Sequence, residues 1–276
     1  MVTTPSRPPQ TQTLKIDWKQ LPDDFILPND PVDNVNQPAL AAALTDSLNQ
    51  AGFMAKTAFT MTNYGICTYI DNQIVVKAPD WAYVAQTTVD RTEIERSYTP
   101  HLQGEVPAIV MEFISETPGE EYSIKPTYPP GKWFYYEAIL KVPYYAIFEP
   151  TSGDLELYRL QENGRYKIEI MNDSGLYWVE SMQLFLGVWQ GIRENRTGYW
   201  LRWWDAEDNL LLWGIERAEQ EAQRAEQEAQ RAEQEAQRAE QEAQRAEQEA
   251  QRAEQEAQRA ERLRAQLWAA GIEPED

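Results

Sequence analysis

The stretch AIVMEFI, Ala108–Ile114, is nearly continuous in apolar residues and contains one acid, Glu112. An apolar run of this length reads as a buried strand. A carboxylate inside it must find a partner or raise its pKa and stay neutral. Upstream, VVKAPDW sets Asp80 directly after Pro79, at the mouth of another strand. Downstream, Lys132 opens the short helix candidate GKWFYYEAILK, Gly131–Lys141. Two carboxylates on adjacent strands can share a hard divalent cation. Magnesium suits such a pair, because it takes few protein ligands and keeps waters for substrate phosphates. An ammonium nearby can orient an attacking water or offset charge building on phosphate. The same residues also allow a plain structural reading. Asp80 can cap the turn after Pro79, Glu112 and Lys132 can form a structural ion pair, and Lys132 can be a solvated helix start. In SETPGEE, the acids Glu116, Glu120 and Glu121 are expected to face solvent, with Glu116 nearest in sequence to Glu112.

The elements around this centre alternate in type. NQPALAAALTDSLNQAGF spaces its apolar residues as an amphipathic helix from Pro38 to about Gln50, with Asn36 as cap and Gly52 as stop. GICTYI and QIVVKA flank Asp71–Asn72, a hairpin turn signal. DWAYVA and PYYAIFEP read as strands, and LELYRL and RYKIEI form a second hairpin around QENG. The order predicts an α+β or α/β sandwich with a mixed sheet flanked by helices. The stretch Leu184–Gly214 is dense in aromatics, among them Trp189, Trp200, Trp203, Trp204 and Trp213. It can be a stacking platform for bases. Packing on the core is the favoured reading, because Asp205, Glu207 and Asp208 lie among the rings.

Composition narrows the function classes. The 276 residues carry a net charge of −20. From Ala218 onward eight arginines stand against sixteen acids, so the larger share of the excess, −12, belongs to the front part. Such a surface repels polyphosphate at long range and weighs against tight nonspecific nucleic-acid binding. His101 is the only histidine, in a polar loop without a partner signature, so a histidine-rich metal site is excluded by count. Cys67 is the only cysteine, sits in an apolar run and reads as a packed thiol; the cytoplasm is the default compartment. No run is long and apolar enough for a membrane helix.

The stretches APDWAYV, AIVMEFISETPGEE, GKWFYYEAILKVPYYAIFEP, LELYRLQENGRY, LGVWQG and LRWWDAEDNLLLWGIERAEQE, in this order and spacing, resemble the Uma-type family of restriction-endonuclease-like proteins. That family lies in the PD-(D/E)xK nuclease superfamily. The resemblance runs from about residue 65 to the start of the tail. It implies a restriction-endonuclease-like mixed sheet flanked by helices, with Asp80 and Glu112 as magnesium ligands. The lysine usually found two residues after the second acid is replaced here by Ile114. The resemblance implies that the following helix supplies it as Lys132, with Lys125 as second choice; Tyr136, four residues on, shares the face of that helix and is expected to line the site. The expected function is magnesium-dependent hydrolysis of DNA phosphodiesters. The alternative is an inactive nuclease-fold scaffold that works through its tail.

That tail repeats AEQEAQR six times without change, from Ala218 to Arg259. The alanines alternate four and three apart, so they fall on one stripe of a helix. Alanine, glutamate, glutamine and arginine are all strong helix formers. Two arrangements follow: a coiled coil that makes a homo-oligomer, or a free single helix. The predicted organisation is a disordered segment over 1–20, a restriction-endonuclease-like domain over 21–215, the heptad-repeat helix over 216–270 and a tail over 271–276. The helix should end near Gly271, with Pro274 beyond it.

Overall fold

The structure, a computed structural model, describes residues 14–27, 36–114 and 120–270. The chain divides into two compact units, one ending at Gly214 and the other beginning at Ile215. In chain order the first unit contains β1 (Ile16–Asp17), α1 (Asn36–Gln50), β2 (Phe59–Met61), β3 (Ile66–Ile70) and β4 (Gln73–Lys77). Then come β5 (Trp81–Val84), β6 (Ile109–Phe113), and α2 (Lys132–Phe134) running into a π-helical turn, Tyr135–Leu140. The remainder is β7 (Tyr144–Glu149), β8 (Asp154–Leu160), β9 (Tyr166–Ile168), β10 (Tyr177–Val179), β11 (Leu184–Arg193) and β12 (Arg196–Trp204).

A six-stranded sheet, ordered β2-β5-β6-β7-β8-β9, forms the centre. It is mixed: β6 and β7 run parallel, and every other neighbouring pair is antiparallel. The central strands are buried on both faces, which is why AIVMEFI and YYAIFE are apolar apart from Glu112 and Glu149 rather than alternating. One face packs through Trp81, Met111, Phe113 and Phe148 onto α1 and the β10-β11-β12 sheet. The opposite face packs through Ala82, Val110, Tyr145 and Ile147 onto the helical segment 132–140 and the β1-β3-β4 sheet.

Local chemistry explains the ends of these elements. Asp71 and Asn72 both take positive φ, 48° and 65°, as the two-residue turn between β3 and β4 requires. Helix α1 ends where Gly52, at φ 82°, lets the Phe53 amide bond back to the Leu48 carbonyl at 2.9 Å. It starts at Asn36, two residues before the expected Pro38. Residues 1–13 lie outside the described residues. From Leu14 onward, the segment expected to be disordered through Gln20 joins the fold instead. There β1 pairs with β3, and Leu14, Ile16 and Trp18 pack on the core. The Cys67 thiol is buried, and burial pushes its pKa up to about 11, a packed thiol rather than a nucleophile. His101 stands edge-on to Trp18, with ring centroids 4.7 Å apart.

The aromatic stretch is a β-hairpin, β11 paired with β12, which the sequence reading left unassigned to strands. Its rings pack as expected. Trp200, Trp203 and Trp213 are buried in the core. The Trp213 indole N–H donates to the Ala43 carbonyl at 3.0 Å, and the Arg202 guanidinium lies 3.4 Å from its ring centroid.

The second unit is helical: α3 runs from Gly214 to Ala269, 56 residues, about 84 Å at ~1.5 Å per residue. Gly271 and Pro274 lie outside the described residues. No helix among the described residues is long and apolar enough to cross a membrane.

Candidate active site

Strands β5 and β6 are antiparallel, with Trp81 opposite Met111. One step further along this register sets Asp80 opposite Glu112. Side chains alternate across a sheet, so Trp81, Met111 and Phe113 point to the α1 face. Asp80 and Glu112 therefore share the other face, beneath the segment that carries Lys132. The structure thus brings together the two acids the sequence singled out.

Each group is held from several directions. The Glu112 carboxylate is fully buried. Its Oε2 accepts from Lys132 Nζ at 2.9 Å, and its Oε1 accepts from the Tyr136 hydroxyl at 2.8 Å. Asp80 Oδ2 accepts from the Phe113 amide at 2.6 Å. The carbonyl of the same Phe113 accepts from Gln37 Nε2 at 2.9 Å, which ties the first turn of α1 to the strand end. Lys132 Nζ also meets Glu121 Oε1 at 3.4 Å.

Burial dominates the electrostatics. It pushes the Glu112 carboxyl up to about 8; the Lys132 charge pulls it down and the Asp80 charge pushes it further up. Burial likewise raises Asp80, against the Phe113 amide and Lys132, which favour its ionised form. At Lys132 burial works toward neutrality, but the Glu112 carboxylate, then Asp80 and Glu121, outweigh it and hold the ammonium above its ordinary value. Two opposed carboxyls that resist carrying charge together form a position where a cation relieves the conflict.

The lysine reaches this position because of how its helix starts. Gly131 caps α2 in extended conformation, and a Cβ there would come within 2.2 Å of the Ser123 carbonyl oxygen. Only glycine lets the preceding loop lie this close, and the Phe134 amide bonds to the same carbonyl at 3.2 Å. Lys125, the second-choice lysine, is exposed; its carbonyl accepts from the Gly131 amide at 3.0 Å.

Glu121 departs from expectation. It was expected to face solvent, yet its side chain is only 14% exposed beside Lys132, and its carbonyl accepts from the Tyr145 hydroxyl at 2.9 Å. Contacts with Lys132 and Tyr145 bring Glu121 to the site, so sequence distance from Glu112 is the wrong measure. Glu120 pairs with Lys77. Glu116 lies outside the described residues. Gln37 carried no signal in the sequence, because a polar residue at a helix start is ordinary.

Among the described residues no group of three or more His, Cys, Asp or Glu side chains forms a metal cage. Magnesium does not need one, since one or two carboxylates plus water and phosphate oxygens usually complete its shell. Each carboxylate oxygen has two lone pairs, so those bonded to Lys132, Tyr136 and the Phe113 amide keep acceptor capacity. The donor set fits this ion. Cavities of about 500 and 650 Å³ lie elsewhere, the first beside Leu21, Arg96 and Gln103, the second beside Arg159 and Lys167. Neither borders Asp80 or Glu112.

The Uma2 family model, described as "Putative restriction endonuclease", matches residues 20–192. The match encloses Gln37, Asp80, Glu112, Glu121, Lys132 and Tyr136, and it stops before β12 and the repeat helix. No curated protein matches the chain.

Proposed function

The chain belongs to the Uma2 family, within the restriction-endonuclease-like superfamily, and from that premise we propose that it is a magnesium-dependent DNA endonuclease. The observation that carries this reading is the pairing of Asp80 with Glu112 on one sheet face, with the Lys132 ammonium 2.9 Å from Glu112. Asp80 and Glu112 would hold the ion. Bound there, it would supply Lewis-acid stabilisation of the scissile phosphate and ease deprotonation of water. Lys132 faces charge that builds on the phosphate, or orients the attacking water. Tyr136 fixes Glu112 through its hydroxyl, and the Phe113 amide fixes Asp80. The single buried thiol suits a reducing compartment, and we place the protein in the cytoplasm on that ground.

The test is incubation of supercoiled plasmid with full-length protein and magnesium. Nicking or linearisation is expected, reduced about 10²-fold by Asp80→Asn. Equal cleavage by wild type and variant overturns the assignment of Asp80. One observation favours an inactive scaffold instead: Glu112 and Glu121 both engage the lysine, leaving its side chain 22% exposed. Calorimetric titration with magnesium separates the readings, because a scaffold of that kind takes up no ion at Glu112.

The repeat helix is proposed to pair copies of the chain, weakly at neutral pH. With alanines at the two seam positions, both flanking positions of every heptad are glutamates, such as Glu219 and Glu221. Like charges would face each other along a paired helix, and alanine buries little area in return. Light scattering at pH 7 should therefore give a higher mass at about 1 M salt, which screens the facing glutamates, than at about 0.05 M. The same mass at both concentrations removes the pairing.

A further inference from the structure

The loop from Glu120 to Gly131 leaves large apolar side chains in solvent beside the proposed site. Tyr122 is 50% exposed, Tyr128 54% and Ile124 68%. Exposed apolar surface concentrated in one short loop marks a contact surface. The two tyrosines are not loose. The Tyr122 hydroxyl donates to Glu156 Oε2 at 2.7 Å, and its ring stacks on Trp133 at 6.3 Å between centroids and 25° between planes. The Tyr128 hydroxyl donates to the Ile74 carbonyl at 3.1 Å. Both phenols are anchored by their polar tips while much of each ring remains open.

Their position gives the surface its meaning. Tyr122 follows Glu121 and Trp133 follows Lys132, so the stacked rings are the immediate neighbours of the Lys132–Glu121 pair. Glu112 pairs with Ile147, and Ile147 pairs with Glu156. The anchor of Tyr122 is thus two strands from Glu112, about 10 Å at ~4.8 Å per strand. That is the reach of one nucleotide from its phosphate to its base.

We infer that Tyr122, backed by Trp133, is a stacking face for unpaired bases, and that the nucleic acid taken at Lys132 is single-stranded or locally unpaired. This rests on the nuclease reading and narrows its substrate class. A paired base offers its faces to its neighbours in the stack; an unpaired base can offer one to a protein ring. Stacking also tolerates any base and owes little to long-range charge. A surface with a net charge of −12 over its front part would attract a duplex poorly, yet it can hold a strand through its bases. Rings fixed before binding lose little freedom on contact.

The test measures binding to full-length protein without magnesium, using a short labelled thymidine strand, the same strand in duplex form and an abasic strand of equal length. The thymidine strand should bind tightest. Tyr122→Ala should weaken it about tenfold and leave the abasic strand unchanged, whereas Tyr122→Phe keeps the ring, loses only its hydroxyl anchor and should bind between wild type and Tyr122→Ala. Lys132→Met should weaken all three. Equal losses of thymidine and abasic strands in Tyr122→Ala overturn the inference, as does duplex binding that depends on Lys132 but not on Tyr122; the second result leaves the nuclease reading intact. Binding of none of the three overturns the inference and leaves the nuclease reading to the plasmid test, because without the ion Asp80 and Glu112 face the phosphate directly. A change of molecular mass in Tyr122→Ala without a change in strand binding makes the loop a protein interface and also overturns the inference.

Discussion

Glu112→Gln is expected to lower magnesium-dependent DNA cleavage by about 10³-fold while leaving the protein folded. The substitution removes the ionisable group and nearly keeps the shape: the amide oxygen can still accept from the Lys132 ammonium, while the amide nitrogen turns to Tyr136, whose hydroxyl oxygen then accepts instead of donating. Alanine at the same position would be a poorer test. It would leave a buried ammonium facing a void, and breaking a buried pair from one side costs about 3–5 kcal/mol. The amide variant separates charge from packing and gives a second readout in stability. The folded carboxyl of Glu112 is raised from 4.5 to about 8 by burial. A raised carboxyl pKa means that the native state holds its proton more tightly than the unfolded state. Its contribution is complete below pH 4.5 and is lost as pH rises through 8, with a slope of up to about 1.4 kcal/mol per pH unit. Asp80 is shifted in the same direction. The variant lacks this group and should therefore gain on wild type between pH 5 and pH 8 in urea unfolding. A parallel pH dependence for the two proteins would mean that Glu112 is ionised throughout. Full cleavage by the variant would remove it from the chemistry.

How much of this was legible in the sequence depends on the distance each feature spans. The repeat helix is set within one heptad, so six identical copies made it readable without any partner. The turn at Asp71–Asn72 is equally local. Glu112 stood out for a different reason: a carboxylate in an apolar run is costly wherever the run goes. Its pairing with Asp80, by contrast, depends on a register across more than twenty intervening residues, which no local pattern fixes. Lys132 was visible as the opening residue of the next helix, and the resemblance set it ahead of Lys125, because its spacing from Glu112 alone would not have singled it out. Glu121 and Gln37 were missed because both reach the site through tertiary paths, one by contacts with Lys132 and Tyr145 and the other by a helix docking on a strand end. The β11–β12 hairpin was missed because aromatic density describes burial and stacking equally well, and only pairing decides between them. The π-helical turn at Tyr135–Leu140 also has no signature in composition. It ends at Lys141 in the left-handed region, φ 57°.

Lys132→Met should lower cleavage by about 10²–10³-fold and move the pH dependence of magnesium binding upward. The ion binds ionised carboxylates, so uptake at pH 7 must expel the Glu112 proton. In wild type the affinity should rise about tenfold per pH unit below 8 and then level off. The Lys132 charge is what favours ionised Glu112 against burial. Without it the carboxyl keeps its proton to higher pH, so the affinity profile shifts to the right. The same change removes a cation that competes with the metal for the two acids. Once the proton is gone, at high pH, the variant should bind magnesium more tightly than wild type, and the two profiles should cross. Lys132→Arg keeps the charge and should follow the wild-type profile while losing some activity, because a planar guanidinium cannot occupy the ammonium position between Glu112 and Glu121 without displacing one of them. A lysine that only filled a structural ion pair would change stability in these variants without crossing the metal-binding profiles. Superimposable profiles for wild type and Lys132→Met would place the ammonium outside the field of the metal and end its role in the proposed reaction.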